Sequence, residues 1–214
     1  MNKILSTLFL ILSVLMSANL WAQEPYIVLD SGDKLPMTYY YDTNKSSHTS
    51  GYVVDFENRM SDNVYTNNRD YVEEIYIDST FVDYPLTTAN ALFSNFTALT
   101  AIYVLGNLNT SNVEDMYAMF AVCTKLTSLD VSGLNTANVK YMGSMFEECT
   151  SLTTLDLSNF NTANVTKMSY MFYHCSSLTT IYVSSLWSTA NVTSTNGATL
   201  FTGCNHLVGG AGTT

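Results

Sequence analysis

The sequence predicts an α/β solenoid in which copies of one short unit stack on each other behind a β-rich N-terminal cap. Three observations predict this fold class. Phenylalanines recur about every 26 residues, an alternating leucine pattern follows each of them, and valine and methionine at helical spacing precede the next. A recurrence of this length is typical of repeat proteins, whose units hide their apolar faces against each other.

The first 22 residues have the features of a secretory signal peptide. Lys3 supplies a basic start, an apolar stretch runs from Ile4 to Leu15, and small residues end the segment near Ala22. The apolar run is too short for a membrane span, and no basic stop follows it. We therefore expect cleavage after Ala22 and a mature chain without a transmembrane segment. Such a chain is secreted or held at the cell surface, and the periplasm is a further compartment that fits.

Residues 23–68 differ in pattern from the rest of the chain. The runs YIVLD, LPMTYYYD and GYVVDFEN are strand-like, and turn-forming residues separate them. A stack of repeats needs a cover on its first apolar layer. We interpret this segment as an N-terminal β-rich cap, and an independent small binding domain is the alternative.

Residues 69–214 carry the repeat, with about five units and a partial last one. The stretches MFAVCTKLTSLDVSGLNTANVKYM and MFEECTSLTTLDLSNFNTANVTKM nearly superimpose, and a third follows them. Because one unit cannot bury its apolar side chains alone, we expect the repeated phenylalanines in a shared core. They are Phe93, Phe120, Phe146, Phe172 and Phe201.

The two halves of each unit have different periods. Leu155 and Leu157 end an alternating pattern, which predicts a short strand, and strands are expected near Val72, Leu99, Leu126, Leu152 and Leu178. The second half carries apolar residues at the spacing of a helical or 3₁₀ turn, namely Val139, Met142, Met145 and Phe146. Asparagines sit before these turns as expected N-caps, at Asn112, Asn138, Asn164 and Asn191. Together these features predict a right-handed leucine-rich-repeat solenoid, with a parallel sheet on one face and short helical turns opposite.

Four cysteines recur at one position of the unit, three residues before the strand leucine. They are Cys123, Cys149, Cys175 and Cys204. This spacing differs from the C-x-x-C pairs of zinc sites, and we expect a buried column of thiols in the core. The alternative is a pair of disulfides, one between Cys123 and Cys149 and one between Cys175 and Cys204. Stacked units lie within disulfide reach, and an oxidising compartment would allow these bonds to form.

The charge balance excludes one class of partner. With 8 basic and 18 acidic residues the formal net charge is −10, whereas nucleic-acid binding depends on clustered lysine and arginine. We therefore expect no nucleic-acid partner.

We expect no cofactor, no metal site and no catalytic residues. A calcium site or a glycosidase pair at Asp130 and Asp156 is the alternative. No calcium-binding motif accompanies these two residues, and an open face would not raise the pKa of either carboxyl.

One exposed position lies between the two inward residues of each predicted strand, and it supplies the candidate binding site. Down the stack this position is occupied by Tyr76, Tyr103, Asp130, Asp156 and Tyr182. Tyrosine offers a large contact area at low entropic cost, so these residues suit a protein or glycan partner. The alternative is that they are ordinary surface residues of a sheet.

The unit F-x-x-C-x-x-L-x-x-L-D-L-S followed by N-T-x-x-V-x-x-M-x-x-M-F resembles that of the bacterial BspA-like leucine-rich-repeat surface proteins. The resemblance covers Phe93 to Leu207. It implies a secreted or surface-attached protein that adheres to host or microbial surfaces without enzymatic activity, and it assigns no binding residue. A structural envelope protein that forms homo-oligomers through an uncapped C-terminal repeat is the alternative function.

Overall fold

The computed structural model describes residues 23–30, 35–49, 52–56, 59–193, 195, 197 and 199–208. The predicted signal peptide, residues 1–22, lies outside these ranges. Within the described ranges, no helix is both long and apolar enough to cross a membrane.

The described residues form seven strands and one short α-helix. The strands are β1 (Glu24–Leu29), β2 (Met37–Asp42), β3 (Tyr52–Asp55), β4 (Glu74–Ile77), β5 (Ala101–Tyr103), β6 (Thr154–Leu157) and β7 (Thr180–Val183). The helix α1 spans Asn63–Asn68, and single 3₁₀ turns span Lys45–Ser47, Arg59–Ser61, Ser79–Asp83 and Leu105–Asn107. The turn at Ser79–Asp83 begins there because the carboxylate of Asp78 accepts a hydrogen bond from the N–H of Thr80 at 2.9 Å.

The N-terminal strands and the strands of the first two repeats share one mixed sheet. Its order is β3-β1-β2-β4-β5, with β1 antiparallel to β2 and β3, and with the β2–β4 and β4–β5 pairs parallel. Beneath this sheet the buried Tyr39 ring lies 5.6 Å from the Phe93 ring and 5.8 Å from the Phe56 ring. Rings of the N-terminal segment therefore cover the first apolar layer of the repeats.

The predicted fold class, a leucine-rich-repeat solenoid with a continuous parallel sheet, is wrong. The parallel strands are split between the mixed five-stranded sheet and a separate sheet of β6 and β7, and the described residues close no solenoid. The strand expected near Leu126 is absent, although Leu126, Leu129 and Val131 are buried. Regular pairing would place the carboxylate of Asp130 directly opposite that of Asp156, and like charges in that position destabilise a strand pair.

The predicted helical turns are also absent from the described part of the repeats. In their place lie segments whose alternate N–H groups donate to the following unit, as Phe120 does to the Met145 carbonyl at 2.9 Å and Val122 does to the Glu147 carbonyl at 2.7 Å. A helix cannot form here because several residues adopt the left-handed conformation, which breaks the helical hydrogen-bond series. These residues are Ala118, Val122, Ser144, Glu148, Tyr170 and His174.

Three of the four asparagines expected as N-caps, Asn138, Asn164 and Asn191, have a different function. The side-chain amides of Asn138 and Asn164 donate to the carbonyls of Ser111 and Ala137, at 2.7 and 2.8 Å, and Asn191 follows the same pattern. Each amide therefore links its unit to the preceding one. The N-cap prediction is wrong because, among the residues that the structure describes, no helix follows these asparagines.

The phenylalanines form one column through the core. Neighbouring rings are stacked with centroids 5.4–5.7 Å apart, from Phe93 through Phe120, Phe146 and Phe172 to Phe201. The first four rings are fully buried. Phe201, expected in the core, is 45% exposed because one face of its ring is covered by Phe172 and the described residues leave much of the rest open.

Replacing Phe146 by alanine should lower the free energy of unfolding by about 3–5 kcal/mol, because it leaves a cavity between two stacked rings. Phe201→Ala is the matched control, with an expected loss of about 1 kcal/mol or less, since that ring is half-exposed. Denaturant unfolding followed by circular dichroism measures both changes. Equal losses for the two variants would contradict a buried column.

Glycines of adjacent units give a second matched pair. A methyl group on Gly133 would collide with the backbone of Gly106, whereas a methyl group on Gly106 would lie 3.5 Å from the Gly133 Cα. We expect Gly133→Ala to destabilise by about 1–3 kcal/mol and Gly106→Ala to be nearly neutral. Thermal melting of both variants tests this, and a Gly133→Ala protein as stable as the parent would show that these turns are not in contact.

Candidate functional site

The strand face consists of the outward positions of β4, β5, segment 126–131, β6 and β7. Its five candidate residues lie in successive units, and Asp130, Asp156, Tyr103 and Tyr182 are exposed while Tyr76 is half-buried. Tyr76 and Tyr103 are opposite each other in register, as are Asp156 and Tyr182. The structure therefore brings the predicted residues onto one side of the molecule, with Asp130 on an irregular segment and not on a strand.

Two tyrosines form an aromatic platform at one end of this face. The rings of Tyr76 and Tyr103 are stacked, with centroids 4.6 Å apart and an interplanar angle of 18°. The Tyr76 hydroxyl donates to Glu74 Oε2 at 2.9 Å, and this hydrogen bond raises the pKa of the Tyr76 phenol. The hydroxyl thus stays protonated, and Tyr103, 40% exposed, presents its ring to solvent.

Two carboxylates occupy the middle of the face. Asp130 Oδ1 accepts from the N–H of Ser132, and Asp156 Oδ1 accepts from the N–H of Ser158, both at 2.9 Å. Hydrogen bonds from the serine hydroxyls, and then from these N–H groups, lower the pKa of both carboxyls. Both groups are therefore ionised at neutral pH. In the part of the chain that the structure describes, the ion pairs are Lys45–Glu24 and Lys140–Glu114, and neither involves Asp130 or Asp156.

A groove of about 440 Å³ lies where the two sheets separate. Its lining is short and polar apart from two aliphatic side chains, and consists of Ser128, Leu129, Asp130, Val131, Ser132, Thr154, Asp156, Ser158 and Asn159. The amide of Asn159 donates to the carbonyls of Val131 and Leu134, at 3.2 and 3.0 Å, and so holds the two walls together. The groove therefore has fixed walls and two negative charges.

Two features were missed by the sequence analysis. Asn159 stands in a turn where asparagine is common, and nothing in the pattern distinguishes its cross-unit bonds. Exposed tyrosines also lie on the segments that replace the helical turns, at Tyr117, Tyr141 and Tyr170, with Lys167 Nζ 4.8 Å from the centre of the Tyr141 ring. They occupy different positions in their units, so the repeat does not align them.

The four cysteines are free thiols. Each sulfur donates to the carbonyl of a phenylalanine in the preceding unit, as Cys149 does to Phe120 at 3.2 Å and Cys175 does to Phe146 at 2.9 Å. Burial raises the pKa of Cys123 to about 12, and it raises the pKa of Cys149, Cys175 and the half-buried Cys204 as well. The two disulfides that the sequence allowed as alternatives are therefore not formed.

Among the described side chains, no group of three or more histidine, cysteine or acidic residues is placed to hold a metal ion.

A model of the family described as "Mycoplasma protein of unknown function, DUF285" matches residues 87–209, the part of the chain that carries the phenylalanine column and the groove. No curated protein and no solved structure matches the chain. The resemblance to BspA-like proteins stays a prediction.

The thiols should differ in reactivity toward Ellman's reagent at pH 8. A raised pKa keeps a thiol protonated as pH rises, and only the thiolate reacts, so three buried thiols should modify only after unfolding in guanidinium. Cys204, partly exposed, should react first in the folded protein. The absorbance of the chromophore released from the reagent follows the early reaction in the folded protein and the later reaction after unfolding. Cys204→Ser should remove the early reaction. Rapid modification of all four thiols in the folded chain would contradict their burial.

Proposed function

This chain belongs to the DUF285 family of unknown function, and we propose that it is an exported, non-catalytic recognition protein. It binds a protein or glycan partner of a host or microbial surface through the strand face. The observation that carries this proposal is the groove between segment 126–131 and β6, with exposed tyrosines on β5 and β7, the strands of the units on either side. The sequence of the first 22 residues supports export.

The strand face has the chemistry of a recognition surface. Tyr103 and Tyr182 are 40% and 56% exposed, and both join an apolar ring to a hydroxyl that can bond to a polar partner. Between them, serine and threonine hydroxyls line the groove. Rigid aromatic residues beside small polar ones are typical of binding surfaces, because they contribute contact area while losing little side-chain entropy.

The electrostatics of the two carboxylates favour binding over catalysis. An acid–base pair that cleaves a glycosidic bond needs one carboxyl with a raised pKa, which keeps it protonated near neutral pH. Hydrogen bonds lower the pKa of both Asp130 and Asp156. Two ionised carboxylates on an exposed face can accept hydrogen bonds and attract cations, but they lack a proton to donate.

Replacing Tyr103 and Tyr182 together by alanine should weaken binding to a surface partner at least tenfold and leave thermal stability nearly unchanged. An array of glycans and extracellular-matrix proteins, probed with the exported chain, identifies the partner, and titration then measures its affinity. Tyr117→Ala with Tyr141→Ala is the matched control, because it removes two exposed tyrosines from outside the strand face.

Equal binding by the strand-face variant and the parent would reject the proposed site. Size-exclusion chromatography over a range of concentrations distinguishes the alternative function. Concentration-dependent oligomers without any bound array partner would favour a self-associating envelope protein and count against recognition.

A further inference from the structure

We propose that the groove between segment 126–131 and β6 binds a neutral oligosaccharide. The ring of Tyr103 packs against the apolar face of one sugar, and the polar lining of the groove forms hydrogen bonds with the sugar hydroxyls. This inference rests on the proposed function and narrows its partner from a protein or glycan to an uncharged glycan.

Tyr103 offers one open ring face beside the groove. Its other face is stacked on Tyr76, with the ring centroids 4.6 Å apart and the planes 18° from parallel. Since β4, β5 and segment 126–131 belong to successive units, the open face is turned toward that segment, where the shorter side chain of Asp130 stands at the equivalent position. The electron-rich face of an aromatic ring attracts weakly positive C–H groups, which line one side of a sugar ring.

The groove has the size of a small-molecule site and a polar lining. Its volume of about 440 Å³ falls in the range of about 300–1,000 Å³ that is usual for small ligands. Most such sites are lined by apolar side chains. Here Leu129 and Val131 are buried, and the more exposed lining consists of serine, threonine, aspartate and asparagine. Such a lining fits a ligand that carries polar groups along its whole length.

The hydrogen-bonding groups of the groove match sugar hydroxyls. Among the described contacts, the hydroxyls of Ser128 and Thr154 bond to no protein group, and each can donate or accept. Asp130 and Asp156 each accept from the N–H and the hydroxyl of one serine, which leaves part of the about four acceptor sites of a carboxylate unused. A sugar hydroxyl both donates and accepts, so it can bond to either kind of group.

The charge of the groove disfavours acidic sugars. Hydrogen bonds lower the pKa of both carboxyls, so both are ionised at neutral pH. The lining of the groove contains no lysine, arginine or histidine. The carboxylate of an acidic sugar would therefore meet like charges without a basic partner, whereas a neutral sugar avoids this repulsion.

The test titrates the exported chain with maltohexaose, cellohexaose, mannohexaose, xylohexaose and N-acetylchitohexaose, and with hexagalacturonic acid as the acidic member. Isothermal titration calorimetry measures binding. We expect at least one neutral sugar to bind with a dissociation constant below about 1 mM, and the acid not to bind. Binding of no neutral sugar, or binding of the acid as tightly as the best neutral sugar, would overturn the inference.

Ser128→Ala with Thr154→Val removes the two free hydroxyls, and we expect it to reduce affinity for the bound sugar about tenfold, because each lost hydrogen bond costs several-fold. Thr127→Val with Thr153→Val is the matched control. Both threonines are exposed neighbours that do not line the groove, and this variant should change affinity less than about twofold. Melting curves verify that both variants fold. Equal losses in the two variants would show that the sugar does not lie in the groove.

Two substitutions of Tyr103 test the ring separately from its hydroxyl. We expect Tyr103→Phe to keep the affinity within about twofold and Tyr103→Ala to lower it at least about tenfold, because packing on a sugar needs the ring and not the hydroxyl. An equal loss in both variants would contradict packing on the open face.

These variants also separate the inference from the proposed function. If an array partner loses binding with Tyr103→Ala and Tyr182→Ala but keeps it with Ser128→Ala and Thr154→Val, recognition by the strand face stands and the glycan inference is wrong. A matrix protein bound in the absence of any bound neutral sugar leads to the same conclusion. Sugar binding that requires both hydroxyls and the Tyr103 ring supports both.

Discussion

Hydrogen bonds between consecutive units are the interaction on which the rest of this structure depends. The backbone between each methionine and the cysteine that follows uses its alternate N–H groups on carbonyls of the next unit, as Phe146 does on Met171. This pattern gives the backbone N–H and carbonyl groups hydrogen-bond partners without a helix, and it fixes the register of each unit on the next. The phenylalanine rings then stack within 5.4–5.7 Å, because the chain that carries them is already in register.

These bonds require a backbone conformation that most residues avoid. Ala118, Ser144 and Tyr170 occupy equivalent positions with φ between 53° and 63°, a region that costs about 1–2 kcal/mol per residue for side chains other than glycine. The bonds to the next unit and the buried apolar column offset that cost.

The hydrogen bonds that join consecutive units lie on the turn segments, on the side of each unit away from the strand face. The turn segments hold the units together, so the strand face can lose its pairing at residues 126–131 while the core stays closed.

Part of this arrangement is predictable from sequence alone. The 26-residue recurrence locates the phenylalanines and the outward strand positions, because burial repeats with the unit. Periodicity could not reveal the conformation of the turn segments. Val139, Met142 and Met145 have the spacing of a helix, but Ser144, which stands between the two methionines, adopts the left-handed conformation. The break at residues 126–131 was equally hidden. The leucines of this segment match those of β6, so the apolar pattern predicts a strand in both places. The pattern does not show that regular pairing would place Asp130 opposite Asp156.

The separation between the two sheets also affects how the gene could change. At residues 126–131 no strand ladder crosses from one sheet to the other, so a whole unit gained or lost there would interrupt no ladder. Only the stacking of rings and the bonds of the turn segments would have to form again, and every unit supplies these in the same places. Recombination between copies at this seam could therefore vary the distance between the two tyrosine-bearing ends while leaving each end intact.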